Sequence, residues 1–157
     1  KKLSKYAKVY ISSENGLPEE LKKYKINIEP ECMHDVLYYA SIFIGESATM
    51  AAESGILGTP SIYLASWGKK CGNFRELKSY GLLKSFKPEN ANSALDYAVD
   101  IIKNKEAKTE WNKKRMSFIL DKIDVSSYMV WFITNFPTSL KMQKYYGKYI
   151  QNYINKY

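Results

Sequence analysis

The stretch SIFIGESATMAAESGILGTPSIYLA, residues 41–65, reads as strand, glycine turn, helix, glycine stop, proline and strand. Ile42, Phe43 and Ile44 form a short continuous apolar run, the pattern of a strand buried on both faces. Gly45 ends that run, and Ser47 and Thr49 are polar residues suited to cap a helix or bond an anion. Residues 50–57 are helical by composition and by the spacing of Met50, Ser54 and Leu57. Gly58 supplies a left-handed stop and Pro60 restarts an extended segment, so residues 61–64 form a second buried strand. The product is a βαβ unit with a polar helix N-terminus, the arrangement that binds phosphate in many α/β proteins, although most such units bind nothing at a given loop.

Outward from this unit the chain alternates. Residues 8–13 and 25–28 read as strands, the first followed by a short helix that Pro18 opens. Met33, Val36, Leu37 and Ala40 recur at i, i+3, i+4 and i+7, which predicts a helix that buries them and leaves His34 and Asp35 off the buried face. A Gly/Lys-rich loop at residues 66–72, a helix at 73–80, a stop at Gly81 and an edge strand at 82–86 follow. Three further helices are expected at 90–103, 106–123 and 126–136, and a basic, tyrosine-rich one after Pro137. Alternation of strand and helix through residue 86 predicts an α/β fold with a doubly wound parallel sheet of about five strands.

Composition narrows the class. In 157 residues, 45% are hydrophobic, enough for a folded domain with its own core. The net charge of +8 is carried almost wholly by lysine, with Arg75 and Arg115 the only arginines. A surface that reads nucleic acid more often uses arginine forks, so no nucleic-acid partner is expected, while a polyanionic or membrane-surface partner stays open. Two cysteines without CxxC spacing, Cys32 and Cys71, point to reduced thiols and a cytoplasmic setting. With His34 the one histidine, no metal site is expected. No signal peptide and no segment able to span a bilayer is expected, and no G-x-S-x-G elbow marks a hydrolase.

Two runs carry a resemblance: Glu46-Ser47-Ala48-Thr49 and, after it, Glu53-Ser54-Gly55-Ile56-Leu57-Gly58-Thr59-Pro60. Together they resemble the nucleotide-binding region of UDP-N-acetylglucosamine 2-epimerase and, more broadly, the C-terminal domain of two-domain (GT-B) glycosyltransferases. Met33-His34-Asp35, the Leu37-Tyr38-Tyr39-Ala40 run, the segment 45–50 and Trp131-Phe132-Ile133 are similar to an uncharacterised family related to both. The resemblance implies a Rossmann-like sheet of order 2-1-3-4-5, residues 1–124 as a nucleotide-sugar-binding domain and 125–157 as a helical extension. It implies a UDP-sugar or similar nucleotide sugar as substrate, no separate cofactor, and a place in polysaccharide or cell-surface glycan synthesis. Since no strand precedes residue 8, it also implies a fragment whose N-terminal domain is missing, weak binding and no catalysis by this chain alone.

The site residues that follow are Ser47, Ala48 and Thr49 against the diphosphate, with Ala48 and Thr49 standing where the family usually has a glycine pair, and Glu53 on the ribose. Lys69, Lys70 and Arg75 are candidates to offset phosphate charge, against the simpler reading of a solvated loop. His34 is a candidate acid or base with no partner legible in sequence. The partner is the missing domain or a second copy, because residues 126–136 carry more apolar surface than one helix face buries. The rival reading is a non-enzymatic interaction domain using the basic tail.

Overall fold

A computed structural model of the chain describes residues 1–66 and 72–150. It has two compact units, Lys1–Phe118 and Ile119–Tyr157. The first is an α/β unit. In chain order it contains α1 (Met33–Tyr39), β1 (Phe43–Gly45), α2 (Ala48–Ile56), β2 (Ser61–Leu64), α3 (Gly72–Ser79), β3 (Leu83–Phe86), α4 (Ala91–Lys103) and α5 (Ala107–Leu120), whose end passes into the second unit. The second unit also holds α6 (Val125–Thr134) and α7 (Thr138–Tyr146).

The sheet has three parallel strands in the order β1-β2-β3. Phe43, Ser61 and Leu83 stand in one row, Ile44, Ile62 and Lys84 in the next. Successive rows point to opposite faces. Tyr63 therefore enters a core with Ala51 and Ala52 of α2, Phe74 and Leu77 of α3 and Trp111 of α5. Its neighbour Ile62 enters a second cluster with Ala94 and Ala98 of α4. Helices thus cover both faces, which is why the strands read as apolar runs rather than alternating ones.

The glycine stops are as the sequence predicts. Gly58 has φ +83° and Gly81 φ +68°. Thr59 N–H reaches the Ser54 carbonyl and Gly58 N–H the Gly55 carbonyl, each at 3.0 Å, the paired bonds of a Schellman end. Leu82 and Gly81 close α3 in the same way onto Leu77 and Lys78.

The two strands expected at 8–13 and 25–28 are not in this sheet. Five strands are expected, and among the described residues three form the sheet. The two segments meet instead in one parallel bridge, Ile11 to Lys25, with Ile11 N–H on the Tyr24 carbonyl at 2.8 Å and Ile26 N–H on the Ile11 carbonyl at 3.1 Å. Burial explains the difference. Nothing before Leu37 is fully buried, and parallel strands persist where both faces are covered. The short helix after Pro18 is a 3₁₀ helix, Glu19–Tyr24.

Candidate functional site

Helix α2 is fixed by small residues. Ala51, Ala52, Ser54 and Gly55 are buried, and Ser61 Oγ donates to the Ala51 carbonyl at 2.7 Å. A side-chain carbon on Gly55 would lie 3.2 Å from the Leu82 carbonyl oxygen, a tight contact that would require the neighbouring backbone to give by a few tenths of an ångström. At its far end Arg115 Nε donates to the Ile56 carbonyl at 2.9 Å, placing a cation on the negative end of the helix dipole. At its near end Ser47 takes an extended conformation, and its Oγ accepts from Met50 N–H at 3.4 Å. Ser47 and Thr49 are exposed and Ala48 is half-buried, and the Ala48 and Thr49 N–H groups have no acceptor within the helix. They lie at the edge formed by the carboxyl end of β1, where open α/β sheets bind ligands.

Helix α1 lies beside α2 and is held at both ends. Leu37 is buried, Met33, Val36 and Ala40 are half-buried, and His34 and Asp35 are exposed, as the spacing predicts. Near the end of α1, Thr59 Oγ1 donates to the Leu37 carbonyl at 2.8 Å. Lys108 Nζ donates to Thr59 Oγ1 at 2.9 Å and to the Tyr38 carbonyl, and sits 4.9 Å from the Tyr38 ring centre. Partial burial pushes this amine below the ordinary lysine range. At the start of α1, His34 Nε2 is 3.5 Å from Glu53 Oε2, an ion pair when the imidazole is protonated. The order of contacts, His34 to Glu53 and Leu37 to Thr59, makes α1 and α2 run in the same sense.

The structure therefore joins two residues that the sequence offers separately. His34 and Glu53 meet, and Glu53 lies four residues past Thr49, about 6 Å along the helix axis. Arg75 is exposed in the first turn of α3. Lys69 and Lys70 lie outside the described residues, as does Cys71, while Cys32 is a free, exposed thiol. The lock formed by Thr59 and Lys108 has no sequence signature, since the two residues are 49 positions apart.

Two cavities of about 350 and 300 Å³ adjoin each other at Tyr97 and Trp111, between β3, α4 and α5. Lys84 Nζ covers the Tyr97 ring at 3.8 Å, and burial pushes the Tyr97 phenol above its ordinary value. Neither of these two cavities is lined by His34, Ser47, Thr49 or Glu53. Among the described residues no cluster of three or more His, Cys, Asp or Glu side chains is placed to hold a metal ion. Compared with models of protein families and with curated proteins, the chain matches none.

Proposed function

We propose that the first unit binds the nucleoside-diphosphate part of a nucleotide sugar, such as a UDP-sugar, on the α2 edge. The observation that carries this reading is the meeting of His34 and Glu53 one helical turn from the exposed start of α2, at the carboxyl end of a parallel strand. The diphosphate sits against Ser47, Ala48 and Thr49, where N–H groups and the helix dipole favour negative charge. Glu53 accepts hydrogen bonds from the ribose hydroxyls through Oε1, while Oε2 faces His34. His34 is then a positioning residue that fixes the carboxylate. Arg75 and Lys70 are second-line candidates for phosphate charge.

The finer reading of the fold is a Rossmann-like sheet of order 2-1-3-4-5. The bridge between Ile11 and Lys25 is compatible with the 2-1 pairing and β1-β2-β3 with the 3-4-5 pairings, while among the described residues no backbone pairing joins residues 8–13 to β1. On this reading the unit is the donor-binding half of a GT-B or 2-epimerase-like protein, and transfer or epimerisation takes place against a further domain.

The test is amide mapping of the chain by NMR during a titration with UDP. Shifts confined to residues 47–53 and to His34 are expected, and Thr49→Leu should abolish them with the fold intact, because a phosphate needs room beside the first N–H groups. A Thr49→Leu variant that binds UDP as the wild type does would place the nucleotide elsewhere.

A further inference from the structure

Helix α6 is apolar on both sides, and one side is exposed. On the covered side Tyr128, Trp131 and Phe132 form an aromatic cluster, with the Tyr128 ring 5.9 Å from each of the other two. Tyr128 also donates its hydroxyl to Gln143 Oε1 of α7 at 3.0 Å, so this side packs within the second unit. On the other side Val125, Met129 and Ile133 recur at i, i+4 and i+8 with Val130 beside them, and these four are 54–69% exposed. Phe136 and Leu140 beyond them are exposed as well. A water-facing helix side ordinarily carries polar residues, here only Ser126 on this side, and an apolar strip of this kind marks a docking surface.

Charge selects the occupant. From Val125 onward there is no Asp or Glu, whereas lysines stand at 141, 144, 148 and 156; the acidic side chains of the unit, Asp121 and Asp124, precede α6, and Asp124 is engaged at its N-cap. Lys141 and Lys144 are exposed on α7, which packs on α6, and Tyr145, Tyr146 and Tyr149 are exposed beside them. A second copy meeting this surface would bring lysines against lysines, which opposes association. An anionic bilayer offers acyl chains for the strip, phosphates for the lysines, and the interfacial zone for tyrosine rings. Ten residues of α6 extend about 15 Å, half of a bilayer core, and among the described residues no helix is long and apolar enough to cross a membrane.

We propose that the second unit docks in the plane of an anionic lipid bilayer, with Met129 and Ile133 seated at the acyl boundary and Lys141 and Lys144 on lipid phosphates. The chain's overall charge of +8 adds long-range attraction to the same surface.

The test is co-sedimentation of the full chain with vesicles of phosphatidylcholine alone and of phosphatidylcholine with phosphatidylglycerol. Binding to the anionic vesicles, weakening with salt, is expected, with little binding to the neutral ones. The double variant Met129→Ser, Ile133→Ser should lower partitioning at least about tenfold. Lys141→Gln and Lys144→Gln should each lower it about fivefold. All four side chains are exposed, and circular dichroism confirms that the variants fold. Equal binding to both vesicle types, no binding to either, or full binding by the double serine variant would each overturn the proposal. A dimer seen by light scattering that Ile133→Ser dissolves, without vesicle binding, would make the occupant a second copy instead.

Discussion

Helices α2 and α6 have nearly the same length and both carry a side-chain N-cap, yet they bury opposite kinds of surface. In α2 the inward residues are Ala51, Ala52, Ser54 and Gly55, all buried, and the helix sits close to the sheet. In α6 the residues are far larger and more apolar, and none is fully buried. Apolar content alone therefore says little about what a helix covers. Close approach to a sheet rewards small side chains, since the backbones themselves pack. Large apolar side chains without a covering layer describe a surface that acts outside its own unit.

The largest effect that separates the two helices is overpacking. Gly55→Leu is predicted to cost about 1–3 kcal/mol in a denaturant melt, because its side chain would meet the Leu82 carbonyl. A neutral Gly55→Leu would mean that α2 does not press on the sheet.

The caps come next and differ in strength. Asp124 accepts from Ser127 N–H at 2.9 Å and from Ser127 Oγ at 2.8 Å, whereas Ser47 makes one bond of 3.4 Å. Asp124→Ala is predicted to destabilise its helix more than Ser47→Ala, which should cost about 0.5 kcal/mol, the low end for a lost cap. The Asp124 cap also depends on pH. Its bond from the Ser127 backbone, then that from the Ser127 hydroxyl, hold this carboxyl below its ordinary value. The cap's contribution is therefore complete above the ordinary carboxylate pKa and is lost as pH falls through the lowered one. Helix content in α6 followed by NMR through an acid titration should fall in that window, and Asp124→Asn should remove the dependence.

The smallest effect is expected on the exposed strip. Ile133→Ser should change stability by no more than about 0.5 kcal/mol. A loss of several times that would mean the strip is covered in solution, and the contrast between the two helices would fail.

Residues 41–65 were legible because both periods and both punctuation marks agree there: an apolar run, a helix, and glycines that take positive φ or admit a neighbouring backbone. The face of α1 was legible for the same reason, including the exposure of His34. Its partner was not, because periodicity says which side of a helix is covered and not which helix covers it. The pairing of His34 with Glu53 and the reach of Lys108 to Thr59 depend on that missing fact. At residues 8–13 and 25–28 the alternation was real but the burial was not, so extended chain formed a single bridge and not two sheet strands.

On the proposed reading, Glu53, held by His34, hydrogen-bonds the ribose of a nucleoside diphosphate. Calorimetric titration of UDP into wild type and Glu53→Ala tests it most directly. Weak wild-type binding is expected, reduced by Glu53→Ala by about 1–3 kcal/mol, the range for a lost charge-assisted hydrogen bond, at an unchanged melting temperature. Equal affinity in the two proteins, with a lowered melting temperature in the variant, would make Glu53 a structural partner of His34 and contradict that reading.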